Sequence, residues 1–343
     1  VAEDLRARAL AARVEVRYNG RDISADLAPY LSRFTFTDRM SGEADTLELE
    51  LGQPQADASR WLADWYPDKG MEIEARFGWA HQALVPAGAF EVDEIEIGAP
   101  PLVVRLRAQA TGVSRMVRTR LARAFEDTSL RAILEQVAAS VGARLEGRIE
   151  PDPAIERVTQ YQETLWQFAA RLAREYGYVI KLTQNNTVMG VQRLADAGPA
   201  LRTLRPSDIT SWSYRDQIVA VPAQASVRHH DPHRAQVHSA SASAASASAP
   251  TDATAADIRH LHTRASSAEQ AQALAQAEMD RRALDQTSLE VSLPGDPRMA
   301  AGLALSIEGL GRIDGRYVIV QARHEIAQSG YTCALQLRKI AHV

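Results

Sequence analysis

At 343 residues, with 45% hydrophobic and 24% charged residues, the chain has the composition of a soluble globular protein of two or three domains. Its one cysteine, Cys333, excludes an intrachain disulfide, and no apolar run reaches membrane-spanning length. The net charge of −4 is uneven: residues 1–110 carry −7, and no segment is basic enough for a dedicated nucleic-acid binder.

The mixed-charge start is helical in pattern and lacks the apolar core of a signal peptide, so synthesis in a reducing cytoplasm without a membrane anchor is expected. The first third then reads as antiparallel β. Val14, Val16 and Tyr18 alternate up to Asn19-Gly20, a strong hairpin signal. Alternation resumes at Phe34 and Phe36, at Leu47, Leu49 and Leu51, and, after a short helix bearing Trp61 and Trp65, at Met71, Ile73, Ala75 and Phe77. Phe90 and Val92 run into Ile95 and Ile97 with one phase shift, as a bulge produces. Val104, Leu106 and Ala108 close a set of about six strands, which argues for a barrel or sandwich. Glu48, Glu50, Glu72, Glu74, Glu94 and Glu96 alternate strictly with these positions, as expected of a solvated sheet face and not of a catalytic cluster.

The period changes over residues 113–200. Leu130, Ile133, Leu134, Val137 and Val141 form a helical stripe, with Asp127 or Thr128 as cap and Gly142 as stop. A second helix follows with Leu165, Phe168, Ala169, Leu172 and Tyr176 on one face. Thr164 and Gln167 offer a capping box, and Gly177 the left-handed stop. Tyr178, Ile180 and Leu182 form a strand, a turn follows at residues 184–187, and Val188, Gly190 and Gln192 return. The Asn185-Asn186-Thr187 acceptor pattern is taken as that turn. The Arg115, Arg118, Arg120 and Arg123 group has no interleaved aromatics and is read as a solvated or interface face.

The last third returns to β, from Trp212, Tyr214, Val219, Val221, Ala225 and Val227. Between residues 228 and 263 lies a low-complexity tract rich in Ala, Ser and His, expected to be a disordered or weakly ordered loop because it has few large apolar groups. A helix is expected over residues 266–284. Alternation at Leu289, Val291 and Leu293, at Leu303, Leu305 and Ile307, and at Tyr317, Ile319 and Gln321 leads to a closing strand with Tyr331, Cys333, Leu335 and Leu337. The order β, then α+β, then β suggests a middle domain inserted between two β modules.

No catalytic, cofactor or metal constellation emerges. His229, His230, His233, His238, His260 and His262 flank the Ala/Ser tract at ligand-like density, but a flexible loop supplies no fixed metal geometry. His324-Glu325 lacks the second histidine of a zincin motif, and His324 is placed on the penultimate strand. The glycines at 309, 311 and 315 miss phosphate-loop spacing and are read as a tight turn. Cys333 is expected to be buried and inert.

Gln160-Tyr161-Gln162-Glu163-Thr164, with Phe168, Arg171-Leu172 and Tyr176-Gly177, resembles the Q-Y-x-E-[ST]-x-x-x-F-x-x-R-L signature of phage late control D proteins. These are contractile-tail baseplate hub proteins, and the N-terminal hub part of type VI secretion VgrG spikes shares the signature. Gly315-Arg316-Tyr317-Val318 with His324, and Gly330-Tyr331 onward, is similar to the family's ending. The structural signature of the inserted domain is therefore Tyr161, Glu163, Phe168, Arg171, Leu172, Tyr176 and Gly177, with Glu163 and Arg171 expected as structural hydrogen-bonding or salt-bridge groups and not as catalysts.

The resemblance implies an α+β, mostly β fold: two tube-like antiparallel β-barrel domains with an inserted small α+β domain. The boundaries expected are 1–112, 113–200 and 201–343, with a low-complexity insert at 229–262 projecting from the exterior. It further implies a homotrimer forming a pseudo-sixfold ring. The expected partners are a spike protein, a tail tube protein, other baseplate proteins and a tape measure protein, with no cofactor. DNA is expected to pass through the lumen without specific binding, helped by acidic lumen residues. Because VgrG-type chains continue into a spike and this sequence ends at Val343, the spike is expected to be a separate polypeptide. The location implied is a virion baseplate or phage-tail-like particle assembled in the bacterial host cytoplasm. Two alternatives from other classes are a cell-wall hydrolase of the tail tip and a monomeric peptide- or glycan-binding module built on the 164–176 helix.

Overall fold

Alternation builds the first unit. β1 (Ala12–Tyr18) turns through Asn19 and Gly20, both at positive φ (48° and 79°), into β2 (Arg21–Asp22), as a two-residue hairpin turn requires. A short helix, α1 (Ser24–Leu27), leads to β3 (Leu31–Arg39) and β4 (Thr46–Gly52). β5 (Glu72–Trp79), β6 (Val85–Gly98) and β7 (Val103–Ala110) complete the set. Phe34, Phe36, Leu49, Phe77, Phe90 and Leu106 fill its core, and the Phe77 ring centroid lies 5.6 Å from those of both Phe34 and Phe36. The phase shift in β6 is a register slip between Val92 and Glu94.

The structure, a computed structural model, describes residues 11–40, 44–52, 70–111, 120–183, 187–217, 222–231, 236–243 and 258–340. The N-terminal helical stretch, the Trp61/Trp65 helix, Arg115 and Arg118, Asn185-Asn186, Val219 and Val221, and His233 lie outside the described residues.

The middle unit opens with β8 (Arg120–Ser129) and α2 (Leu130–Ser140). The cap of α2 is Ser129, whose hydroxyl accepts from the Ala132 N–H at 3.3 Å, one residue beyond the position expected. β9 (Arg144–Gly147) and β10 (Ala154–Thr164) lead into α3 (Leu165–Glu175), then β11 (Val179–Thr183) and β12 (Val188–Gln192). β8 and β10 make an antiparallel ribbon, while β12 pairs β11 antiparallel and β9 parallel.

After β13 (Ala200–Leu204) and β14 (Ser211–Asp216), the tract expected to be a loop forms strands. β15 (Gln224–Asp231) pairs antiparallel with β16 (Gln236–Ser243) and parallel with β17 (Ile258–Leu261). This corrects the expectation of a disordered or weakly ordered loop for the parts of the insert in these strands, while residues 232–235 and 244–257 of it lie outside the described residues. In β16 serine and alanine alternate, so the small residues on one side can approach α4 (Ala268–Gln286) closely. Ala225, Val227 and Ala242 are buried with Ala271, Leu274 and Met279 of that segment, in the same core as α2 and α3. Few large apolar groups are needed because alanines on both surfaces let strand and helix approach closely, with Val227, Leu274 and Met279 filling the contact.

The last strands are β18 (Thr287–Pro294), β19 (Ala304–Ile307), β20 (Gly315–Ala327) and β21 (Gly330–Lys339). Leu289, Leu305, Tyr317, Ile319, Cys333 and Leu335 pack a separate core. β14 ends the sheet, so Trp212 is exposed and not a core residue. The fold is mostly β: one 13-stranded sheet, antiparallel except where β13 meets β19, runs across both β cores. β20 joins them. Its start pairs β19, its end (Gln321–Ala327) pairs β3, and β21 follows nearly its whole length.

Candidate functional site: the signature helix and its charged clasp

The ribbon delivers the signature to α3 through a bulge. Gln162 sits at φ 52°, and the register slips between Tyr161 and Glu163. The extra residue leaves Tyr161 exposed and turns Glu163 toward the helix. Arg171 Nε and Nη2 donate to the two Glu163 carboxylate oxygens at 2.7 and 2.8 Å, and Nη1 donates to Glu175 at 2.9 Å. This two-pronged geometry is specific to a guanidinium. The bond to Glu163 raises the Arg171 pKa above the usual arginine range against the opposing effect of burial, so the cation is permanent. Arg171 also lies over the Phe168 ring, which stacks on Phe125 at 5.2 Å and 7° between planes.

The capping box forms: Thr164 Oγ1 accepts from the Gln167 N–H at 3.2 Å, and the Gln167 side chain accepts from the Thr164 N–H at 3.1 Å. Leu172 and Tyr176 are buried, and the Tyr176 hydroxyl accepts from Gln270 Nε2 of α4 at 2.7 Å. Gly177 closes the helix at φ 79°, where an added Cβ would also press on Arg193 and Ala277. Six of the seven signature residues thus form one packed unit, and Tyr161 alone faces outward.

Two participants escaped the sequence reading. Trp166, assigned to no stripe, is buried. Gln160 is fully buried, accepting from Arg123 Nε at 3.0 Å and donating to the Glu163 carbonyl at 2.9 Å; its place at the head of the signature was the available signal. A third feature lay beyond sequence reach. Lys181 of β11 pairs with Asp38 of β3, both nearly buried, and Asp38 also accepts from the Ala301 N–H at 2.9 Å. This one ion pair touches all three parts of the chain.

The alternating glutamates form a mixed ladder instead of an acidic face. Arg105 bridges Glu50 and Glu96 at 3.1 and 3.4 Å, and Arg107 lies 3.8 and 3.9 Å from Glu48 and Glu94. On β5, Glu74 lies opposite Arg17, whereas Glu72 faces Glu91.

His229 and His238 are cross-strand neighbours. Among the described residues no group of three or more His, Cys, Asp or Glu is placed to hold a metal ion. At the glycine turn the Asp314 carboxylate accepts from the Gly309 and Leu310 N–H groups at 3.1 and 2.7 Å, so the chain's own anion fills the turn. Burial pushes the Cys333 thiol up to about 12, which makes it inert. No helix among the described residues is long and apolar enough to cross a membrane.

The family model described as phage tail baseplate hub (GPD) matches residues 102–330, a stretch that takes in the ribbon, the signature helix, the insert and most of the last β unit. The chain belongs to the phage tail baseplate hub family. The probable baseplate hub protein of Escherichia phage P2 is 34% identical over 162 residues, covering 46% of this chain and 40% of that protein. The hub-family chain thus spans about two-fifths of the length of the curated relatives it matches. Among solved structures, the 43 kDa tail protein of prophage MuSo2 from Shewanella oneidensis superposes with a TM-score of 0.75 at 13% identity, over 96% of this chain and 99% of that one. A chain of the half-lidded Francisella PdpA-VgrG complex gives 0.60 at 8% identity, over 99% of this chain and 61% of that one. At these identities the likeness is one of fold, and it covers both β cores of the hub-family chain together with the inserted unit.

Proposed function

We propose that the chain is the structural baseplate hub of a contractile phage tail or a related contractile injection system. In this reading it is a homotrimer whose six β units form a pseudo-sixfold ring between the tail tube and the central spike. The observation that carries the reading is the pairing of two β cores in one continuous sheet: three copies present six such units, the number a hexameric tube needs. The partners that follow are a spike protein, the tail tube protein, further baseplate proteins and a tape measure protein. The setting is a virion or phage-tail-like particle assembled in the bacterial host cytoplasm. Each β unit serves as a tube segment, and the α+β unit between them, with its helix-anchored clasp, serves as a bracing element and not as an enzyme. No specific observation favours the hydrolase alternative, since the charged residues of the signature are engaged in the Arg171 ion pairs.

We place the Glu48–Arg107–Glu94 and Glu50–Arg105–Glu96 rows on the lumen. Alternating charge there gives passing DNA no continuous cationic track. Mass photometry and electron micrographs of the purified protein test the assembly: three copies and ring-shaped particles are expected, and a stable monomer at micromolar concentration would overturn it. The lumen assignment has its own test. Glu48→Lys with Glu50→Lys puts lysines beside Arg105 and Arg107 and should slow DNA ejection from assembled particles. Unchanged ejection would remove these rows from the lumen.

A further inference from the structure

The histidines of the insert lack metal geometry only if they lie on a flexible loop, and two of them stand on paired strands instead. His229 of β15 is the direct antiparallel partner of His238 of β16. By strand alternation both belong to the side that carries Val227, Ala240 and Ala242, the side packed with α4, whereas His230 belongs to the other side. Directly opposed residues hold their Cβ atoms about 4.5–5.5 Å apart. Two imidazole nitrogens on one tetrahedral ion, each at about 2.0–2.1 Å, stand about 3.3 Å from each other, a spacing that rings so placed can reach. Nε2 of His238 is enclosed, and it has no hydrogen-bond partner among the described residues. An enclosed polar atom left in that condition is unfavourable and calls for a ligand. The preceding rung, Val227 opposite Ala240, is apolar, so the polar group directly across is the His229 ring. Glu269 in the first turn of α4 lies near enough to sense His238: its own backbone N–H and the Ser267 hydroxyl hold its carboxyl below the usual carboxylate range, and His238 adds to this. That full negative charge outweighs the positive end of the helix dipole, equivalent to about half a charge, so the local field favours a cation.

We infer that His229 and His238 form a two-histidine site for a divalent transition-metal ion of the imidazole-binding class (zinc, nickel or copper(II)), with water completing the ion's shell. Neutral imidazole suits these ions, whereas magnesium and calcium require oxygen donors that the pair does not supply. The ion satisfies the enclosed Nε2 and ties β15 to β16 at the rung beyond Val227 and Ala240, so it binds the paired strands and not the open chain. A bound water would meet the same nitrogen but would need further polar partners, and the neighbouring rung has none in its side chains. The site stands apart from the hub reading, because it needs only the strands of the insert and α4.

Isothermal titration of the untagged full chain, stripped with EDTA and dialysed, tests this with zinc, nickel and magnesium chlorides at neutral pH. One zinc or nickel ion per chain is expected, with magnesium at least about a hundredfold weaker. The chain has nine histidines, so the variants decide which of them bind. His229→Ala and His238→Ala should each weaken zinc by about tenfold or more, while His230→Ala combined with His260→Ala should change it by less than about twofold. Circular dichroism checks each fold; should His238→Ala unfold the chain, His229→Ala decides. Electron paramagnetic resonance of the copper(II) complex gives a second readout, with two nitrogen donors expected in the parent and one in either single variant. No zinc bound at about 1 mM would mean that the pair serves packing or a water only and would overturn the site. Unchanged affinity in His229→Ala, or loss that follows His230 and His260 instead, would overturn it as well.

Discussion

The Met299 carbonyl can only accept, so Nε2 of His324, 2.9 Å away, must carry the ring proton, and Nδ1 takes the Tyr331 hydroxyl hydrogen at 2.9 Å. A second ring proton would make the Tyr331 hydroxyl turn from donor to acceptor and place a cation in a site closed by the Phe36 and Phe77 rings. Burial accordingly lowers the pKa from 6.5 to about 4. The unfolded chain takes up this proton from about pH 6.5 downward, while the folded chain resists until about 4. Stability therefore falls as pH is lowered through that window, by about 3 kcal/mol for this group. Urea unfolding at pH 7 and pH 4 should show a pH dependence smaller by about that amount in His324→Gln than in the parent. Equal slopes would mean that His324 titrates normally. Arg171 makes a second residue-scale case. Its clasp is about one-quarter exposed on both sides, so Arg171→Ala should cost about 1–3 kcal/mol. Arg171→Lys should recover less than half of that, since an ammonium cannot form the fork. Full recovery in denaturant melts would show that charge alone matters. The sequence named Glu163 and Arg171, but the bulge at Gln162 that brings them together depends on β8 across the ribbon and left no local trace.

At the scale of elements, legibility followed range. α3 was readable because its cap, stripe and stop lie within fourteen residues, Thr164 to Gly177, and all act locally. The closing strand was readable because Tyr331, Cys333, Leu335 and Leu337 alternate against a core on one side. β16 was not, since alanine and serine carry little hydrophobic contrast and its place depends on pairing with β15 and on the small surface that α4 offers. This has a testable consequence. Ala242 is buried in that core, whereas Ser241 beside it is exposed. Ala242→Leu should overpack the contact and cost about 1–3 kcal/mol, whereas Ser241→Leu should change thermal stability by no more than about 0.5 kcal/mol. Equal, small effects would show that β16 is held by its strand neighbours and not by the helix.

On the scale of the whole molecule, the parts are joined by contacts that no sequence window contains. Asp38 and Lys181 are 143 residues apart, and Asp38 and Ala301 are 263 apart. The sheet joins the two β cores through β20, and Trp79 Nε1 donates to the Gly295 carbonyl at 2.9 Å beside it. The inserted unit has no strand in that sheet. Its buried ion pair to the sheet is Lys181–Asp38, beside a hydrogen bond from Gln192 Nε2 to the Gly302 carbonyl at 3.1 Å, and burial depresses the lysine to about 7. Removing one partner strands a charge: Lys181→Ala leaves Asp38 buried with only the Ala301 N–H, at an expected cost of about 3–5 kcal/mol. Replacing both, as Asp38→Asn with Lys181→Met, removes the charges together, keeps an acceptor for Ala301, and should restore most of the loss. The discriminating measurement is a double-mutant cycle in urea, with ring assembly scored in parallel. A double variant that is stable yet assembles poorly would show that the pair sets the position of the inserted unit as well as its stability. Additive losses in the cycle would mean that the two residues act separately and that the unit is held in place by its other contacts.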